Sequence, residues 1–345
     1  MKLQLLLHVY PLKSIRHILK ILLPLVLGGL ILWWMYHGLD WSSLLMTLQH
    51  DMRWEWMVVS LPFGITAQWF RALRWRQALK PLGYEPRHST ATNAIFLSYA
   101  TSLVVPRVGE VLRCGVLSRY DNVPFSRSLG TVVTERVVDM LIVLLLSAAV
   151  FVMQIPVFLS FFEQTGMSLG TMLSRFTGTG YIVTATCVVV IILMGFYLMH
   201  RLNWFAKQKH TLLGLWDGLL SVRKVDSPLL YIMYSLGIWV SYFLHFYLTF
   251  FCFDFTEGLG FQVALVAFVV GTFAVLVPTP NGAGSWHFAV KTVLMLYGVA
   301  SESGALFALV VHTIQTALVA LLGVVAALCL PTSKNKYKAN QNILL

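Results

Sequence analysis

Long apolar stretches dominate this chain of 345 residues. Six of them lie at 18–38, 54–73, 129–153, 180–200, 229–251 and 304–330. A helix needs about 20 mostly apolar residues to cross the hydrocarbon core of a bilayer, because each residue adds about 1.5 Å. Only 11% of the residues are charged, against about 25% in soluble domains. The sequence therefore predicts an all-α polytopic membrane protein, a single membrane domain over residues 1–345 with about six full transmembrane helices.

Basic residues, which give the chain a net charge of +11, lie in short loops between the apolar stretches. They follow the second stretch (71–87), the fourth (201–224) and the last (334–338), whereas the other loops carry little net positive charge. By the positive-inside rule, we expect both termini, with residues 331–345 as a tail, to be cytoplasmic. The membrane is expected to be the inner (plasma) membrane. Basic residues spread over short loops argue against nucleic-acid binding.

Two further apolar stretches, 90–105 and 259–278, each end in a Pro/Gly motif that is followed by a second short segment. Because six full spans return the chain to the cytoplasm, each of these pairs has to enter and leave the membrane on the same side. We therefore expect two re-entrant helical hairpins in an inverted repeat, with residues 18–155 and 180–330 as its halves. The alternative is eight ordinary helices with Pro-kinked ends.

The first motif is Pro106-Arg107-x-Gly109-Glu110-x-x-Arg113. Pro106 and Gly109 break the helix and leave backbone groups in need of partners. Arg107 and Arg113 could hold a phosphate by charge-assisted hydrogen bonds, beside the positive end of the restarting helix. Glu110 lies three residues before Arg113 and so shares its helical face. The alternative is a cytoplasmic loop whose arginines lie at the membrane interface.

The second motif places Glu135, Arg136 and Asp139 at the start of the third helix. Glu135 and Asp139 are four residues apart and Arg136 is three before Asp139, so one face can hold a local ion pair. The alternatives are a helix cap, since acids are common near helix N-termini, or a clamp on the Arg107–Arg113 segment.

The third motif joins prolines and glycines, which suit an unwound backbone that approaches a ligand closely, to two ionisable residues. Its members are Pro278, Pro280, Gly282, Gly284, His287 and Lys291. His287 and Lys291 are four residues apart and share a face, and His287 could relay protons near neutral pH. The alternative is that His287 merely lies at the interface.

Other polar residues inside the apolar stretches suggest packing or anchoring. His245 and His312 are expected to be hydrogen-bonded packing residues. The segment with Trp69, Arg71, Arg74, Trp75 and Arg76 is expected to anchor the chain at the interface and contact anionic lipid headgroups. Neither paired cysteines, a metal-ligand spacing nor a nucleotide-binding loop is evident, so no disulfide, metal or cofactor is expected.

In order and kind, the three motifs resemble the lysylphosphatidylglycerol synthase transmembrane family, a flippase-like membrane family, over about residues 15–330. The resemblance implies movement of a lipid between leaflets, or handling of a polyprenyl-linked lipid or glycerophospholipid. The lysyl-transferring domain of two-domain relatives is a separate soluble domain, so lipid lysylation is not expected here. The family usually has an acidic residue where this chain has His287.

The function expected from these features is transport of an anionic phospholipid or a polyprenyl-phosphate-linked lipid, passive or coupled to an ion gradient, rather than catalysis. The residues of the three motifs would bind the lipid headgroup. One alternative is a membrane-embedded transferase acting on a lipid-linked substrate, with Glu110, Glu135 or Asp139 as acid or base. Another is a regulatory partner of envelope-lipid biosynthetic enzymes.

Overall fold

A computed structural model describes residues 26–38, 41–105, 108–165, 224–277 and 279–343, and the regular elements in these ranges are helices without a strand. In chain order they are α1 Val26–Tyr36, α2 Trp41–Met46, α3 Trp54–Leu79, α4 His88–Val104, α5 Val108–Asp121, α6 Phe125–Thr165, α7 Pro228–Tyr247, α8 Asp254–Glu257, α9 Gly260–Ala274, α10 Ser285–Leu296 and α11 Ser301–Ile343. The prediction of an all-α membrane protein is confirmed.

Three of the described helices contain segments long and apolar enough to cross a bilayer: Phe125–Ile155, Pro228–Cys252 and Ser301–Leu330. The first and third lie within α6 and α11, and the second is α7 with the 3₁₀ turn that follows it. Helix α3 has 26 residues but carries arginines along its second half. The predicted stretch 180–200 lies outside the described residues.

Two helical hairpins occupy the positions where the sequence breaks its apolar stretches. In the first, α4 has 17 residues and α5 has 14; in the second, α9 has 15 and α10 has 12. At 1.5 Å per residue these helices are about 18–26 Å long, shorter than the hydrocarbon core of about 30 Å. Their length suits the predicted re-entrant hairpins.

The two halves of the chain contact each other in matching pairs. Helices α3 and α7 pack along their whole length, α4 packs on α11, and α9 packs on α6. In addition, α4 contacts the 3₁₀ turn Pro280–Gly282 at the tip of the second hairpin. Exchanging the predicted halves converts the α4–α11 contact into the α9–α6 contact, so the two contacts correspond to each other.

Hydrogen bonds at both ends fix α3 and α7 as antiparallel neighbours. At one end the backbone N–H of Arg53 donates to the Cys252 carbonyl oxygen at 2.9 Å. At the other end the side-chain Nε2 of Gln77 donates to the Ser227 carbonyl oxygen at 2.8 Å. The α3–α7 pair thus forms a central support that carries one hairpin from each half.

Candidate functional site

Five ionised side chains from three helices meet inside the helical bundle and form what we term the charge cluster: Arg71 and Arg74 of α3, Arg113 of α5, and Glu135 and Asp139 of α6. Asp139 accepts from Arg71 Nη1 at 2.7 Å and lies 2.8 Å from Arg74 Nη2. Glu135 lies 2.8 Å from Arg113 Nη2 and 3.6 Å from Arg74 Nε. No side chain of the charge cluster is more than 8% exposed.

Helical spacing explains how so few residues build this cluster. Arg71 and Arg74 are three residues apart, and Glu135 and Asp139 are four apart, so each pair projects from one face of its helix. Unpaired charges in a membrane interior are costly, which explains why the two faces meet. Three guanidinium groups against two carboxylates leave the charge cluster with a net charge of +1.

Aromatic and hydroxyl groups line the arginines. The Arg113 guanidinium lies 4.6 Å from the centre of the Trp75 ring. Arg74 donates to Ser235 Oγ at 3.2 Å. Within the part of the chain that the structure describes, Nε and Nη1 of Arg113 have no hydrogen-bond partner. The charge cluster therefore combines excess positive charge with unused N–H donors.

A half-exposed ion pair connects the charge cluster to the surface. Arg136 Nε lies 2.9 Å from Glu110 Oε1, and their side chains are 43% and 33% exposed. Arg136 Nη1 also lies 3.9 Å from Asp139 Oδ2. Together with Arg113–Glu135, this pair clamps the start of α5 onto α6. The clamp considered from the sequence is thus present for the described residues Gly109–Arg113, whereas Pro106 and Arg107 lie outside the described residues.

Part of the interface-anchor prediction is wrong. Trp69 is exposed, but Arg71, Arg74 and Trp75 are at most 2% exposed and belong to or line the charge cluster. The physical reason is the presence of Glu135 and Asp139 on a neighbouring helix. The available signal was that each pair, Arg71/Arg74 and Glu135/Asp139, lies on one face of its helix. The sequence did not show that α3 and α6 are neighbours.

A second polar group, which we term the histidine pair, lies at the tip of the second hairpin. The rings of His287 on α10 and His312 on α11 are 4.4 Å apart between centroids. The Gly284 amide donates to His287 Nδ1 at 3.2 Å, and His312 Nε2 lies 3.0 Å from the Asn281 carbonyl oxygen. The Asn281 side chain in turn donates to Thr316 Oγ1 at 2.7 Å.

The tip itself has the unwound backbone that the third motif predicts. Gly282 and Gly284 have φ angles of 71° and 84°, in the left-handed region that favours glycine. A Cβ at Gly284 would lie 2.8 Å from Ile31 Cβ of α1, so only glycine fits. Pro280 opens the 3₁₀ turn, and Pro278 lies outside the described residues.

Lys291 lies one helical turn after His287, where its side chain packs half-buried against Gly304 of α11. His245 does not join the histidine pair: its Nδ1 lies 2.8 Å from the Ser60 carbonyl oxygen, at the α3–α7 contact. His245 and His312 were both expected to be packing residues, but His312 instead contacts His287, which the sequence predicts as a site residue. Among the described residues, no three His, Cys, Asp or Glu side chains are grouped as metal ligands.

A third polar group joins α3 to α8 at the end of the bundle opposite the charge cluster. Arg53 donates to Glu257 Oε1 at 2.9 Å and Oε2 at 2.6 Å, and also pairs with Asp254. The Arg53 guanidinium lowers the pKa of Glu257, chiefly through these hydrogen bonds. A cavity of about 280 Å³ adjoins this group and is lined in part by Asp51 and Glu302.

These features define a polytopic α-helical membrane protein with ionised groups in its interior. Residues 21–323 match the family described as the lysylphosphatidylglycerol synthase TM region, and the chain belongs to this family. One curated relative, glycosyltransferase AglD of Haloferax volcanii, is 35% identical over 83 residues, which are 24% of this chain and 13% of AglD. The matched part is thus a small fraction of that relative. No solved structure matches this chain.

Proposed function

We propose that this protein is a lipid flippase or lipid transporter that moves an anionic phospholipid or a polyprenyl-phosphate-linked lipid between leaflets. The observation that carries the proposal is the charge cluster, a buried group of net positive charge between α3, α5 and α6. A lipid phosphate crossing the hydrocarbon core needs compensating charge and hydrogen-bond donors. The charge cluster has both, because it carries a charge of +1 and Arg113 retains unused N–H groups.

The headgroup path would run between the two hairpins. The Glu110–Arg136 pair is the half-exposed entrance from which a headgroup would reach Arg113, with Arg107 as a second phosphate ligand. Gly109 would let the backbone approach the headgroup, and Glu135 and Asp139 would hold the arginines in place. At the opposite mouth, the headgroup would pass the backbone of Pro278, Pro280, Gly282 and Gly284. His287 and Lys291, on the helix that follows this segment, would complete the binding residues there.

A leaflet-transfer assay in proteoliposomes tests the proposal. Fluorescent phosphatidylglycerol and a labelled polyprenyl phosphate would be compared in vesicles with wild-type protein, Arg113→Gln and Arg119→Gln. Arg119 is the matched control because it lies exposed in the last turn of the same helix. We expect faster transfer than in protein-free vesicles, lost in Arg113→Gln and kept in Arg119→Gln. Folded protein that accelerates no anionic lipid would refute the proposal.

A membrane-embedded transferase is the second candidate, and the name of the matched glycosyltransferase favours it. The geometry is less favourable, since Glu135 and Asp139 are held by arginines and only Glu110 is half-exposed. Incubating the protein with lipid and activated sugar donors would distinguish the candidates, because a transferase changes the mass of the lipid and a transporter does not. Stoichiometric co-purification of an envelope-lipid enzyme would instead favour a regulatory role.

The proposed location is the inner (plasma) membrane, with both termini in the cytoplasm. The Gln77–Ser227 end of the α3–α7 pair would then face the cytoplasm, and the Arg53–Glu257 end would face outward. This orientation places the charge cluster in the cytoplasmic part of the membrane, since Arg71 and Arg74 lie within about 12 Å of the end of α3.

A further inference from the structure

We infer that the histidine pair is a binding site for a single proton and that uptake of this proton releases the tip of the second hairpin. The inference rests on the proposed transport function, which it supplies with a coupling ion. It starts from the 4.4 Å separation of the two rings and from the hydrogen bonds that fix their tautomers.

The hydrogen bonds of His287 require a neutral ring with its proton on Nε2. Its Nδ1 accepts from the Gly284 amide at 3.2 Å, so that nitrogen carries a lone pair. The residue occupies the third position of α10, where Glu or Gln usually performs this capping role. A proton on Nδ1 would abolish the hydrogen bond and place positive charge at a helix N-terminus, where the helix dipole opposes it.

The hydrogen bonds of His312 accommodate a neutral ring and an imidazolium equally, so only His287 has a protonation state that is tied to the closed tip. The His312 Nε2 donates to the Asn281 carbonyl oxygen at 3.0 Å, and Nδ1 faces Thr316 Oγ1 at 3.4 Å, a hydroxyl that can donate to it or accept from it. The Thr316 hydroxyl itself accepts from the Asn281 side chain at 2.7 Å. Asn281, with a φ of 52°, is thereby held to α11 by its backbone and its side chain.

Among the residues that the structure describes, no carboxylate contacts either ring to stabilise two charged imidazolium groups. From α1, Tyr36 meets His287 edge-on with its hydroxyl donated to the Ala305 carbonyl oxygen. Helix α9 carries no titratable side chain. On α4, which contacts the tip, Tyr99 faces Arg71 instead. Lys291, the next charged residue on α10, adds positive charge. A positive charge on one ring therefore disfavours protonation of the other ring 4.4 Å away, so the pair takes up at most one additional proton.

Proton uptake is linked to the tip because the closed tip and a protonated His287 exclude each other. A proton binds His287 more tightly when the Gly284 hydrogen bond is open, so acidification shifts the population towards the open tip. The open state frees the segment around Gly282 and Gly284, which lies at the mouth of the proposed headgroup path. The histidine pair would thus couple proton uptake to movement of this segment.

The test uses His287→Gln, because glutamine retains the capping hydrogen bond but cannot take up a proton near neutral pH. Lipid transfer would be measured in proteoliposomes between pH 5 and pH 8. We expect the wild-type rate to rise on acidification, by up to about tenfold per pH unit as for one proton. His287→Gln should transfer lipid at a rate independent of pH. The matched control is His245→Gln, which alters a buried histidine outside the pair and should keep the wild-type pH response.

Histidine ¹⁵N NMR of the wild-type protein in nanodiscs provides a readout independent of transport. We expect His287 and His312 to take up one proton between them, and each single glutamine variant to change the titration of the remaining ring. Two independent proton uptakes, or a wild-type transfer rate that is flat or falls on acidification, would overturn the inference while leaving transport intact. One shared proton in a protein that moves no lipid would refute the proposed function alone.

Discussion

Arg113 and Glu135 form an ion pair with 2.8 Å between Nη2 and Oε2, and both side chains are at most 1% exposed. The pair joins α5 of the first hairpin to α6. Its burial means that neither charge can be relieved by water when the other is removed. The hairpin is therefore attached to α6 by a buried ion pair as well as by packing.

Replacing Glu135 with Gln should destabilise the protein strongly, because Arg113 then stays buried without its partner. Removing one member of a buried pair costs about 3–5 kcal/mol. The melting temperature in detergent should fall clearly for Glu135→Gln, and it should hardly change for Glu110→Gln, whose ion pair is half-exposed. The double variant Glu135→Gln/Arg113→Gln should recover part of the loss. Equal melting temperatures for both single variants would contradict this account.

Gly109→Ala should separate the two helices of the first hairpin. A Cβ at Gly109 would lie 1.9 Å from the Ser98 carbonyl oxygen and 2.5 Å from Ser102 Oγ. The Ser98 carbonyl belongs to the backbone of α4, so the clash could be relieved only by moving the helix backbone. Overpacking of this kind costs about 1–3 kcal/mol or more. Gly115 of the same helix is the control, since a Cβ there meets nothing within 4 Å. Thermal unfolding should show a clear loss for Gly109→Ala and none for Gly115→Ala.

The two hairpins could be predicted from the sequence because Pro and Gly interrupt otherwise apolar stretches. The apolar segment 90–105 corresponds to α4, which ends at Val104, and the segment 259–278 contains α9. These interruptions depend only on the residue itself, because a proline lacks the backbone N–H donor and a glycine permits a positive φ in any surroundings. Such breaks can therefore be found without knowledge of the neighbouring helices.

The charge cluster could be predicted only in part. The Glu135–Asp139 face was evident from helical spacing, but its partners Arg71 and Arg74 are 61–68 residues away along the chain. Basic residues near the end of a span usually indicate the cytoplasmic interface, and that rule gave the wrong environment for these two. Which helix faces which is decided by tertiary packing, and helical periodicity alone does not contain that information.

The contact between His287 and His312 was missed for the same reason. His312 lies on α11 and meets the tip because α10 and α11 pack together. From the sequence it was one polar residue in an apolar span. Polar residues in such spans are expected to face other polar groups, so an interior partner was foreseeable although its identity was not.

Gly284→Ala should impair lipid transfer more than Gly298→Ala. Both residues have positive φ, 84° and 89°, so alanine is strained by about 1–2 kcal/mol at either. Only Gly284 has close neighbours, with Ile31 Cβ at 2.8 Å and the Gly28 carbonyl oxygen at 3.0 Å from an added Cβ. Initial transfer rates in proteoliposomes, normalised to folded protein, should fall severalfold for Gly284→Ala alone. Equal losses would mean that backbone strain, rather than the contact with α1, governs the tip.

Cysteine labelling in intact cells should confirm the proposed orientation. Asp51 and Glu85 are both exposed and lie beyond opposite ends of α3. A membrane-impermeant maleimide should label Asp51→Cys in intact cells and Glu85→Cys only after permeabilisation. The native cysteines would be replaced beforehand, with the unsubstituted cysteine-free protein as the background control. The reverse pattern would invert the proposed topology.

Acidification should loosen the contact between α3 and α8. Arg53 lowers the pKa of Glu257, so the contribution of this carboxylate to stability is fully present above its ordinary pKa of about 4.3. It is lost as the pH falls through the lowered pKa, because protonation removes the charge that Arg53 binds. Hydrogen exchange in residues 252–258 should therefore be slower in the wild type than in Glu257→Gln at pH 6, and this difference should narrow as the pH is lowered. Because both partners are partly exposed, the difference should shrink in high salt, whereas a salt-independent difference would show that packing rather than charge holds α8.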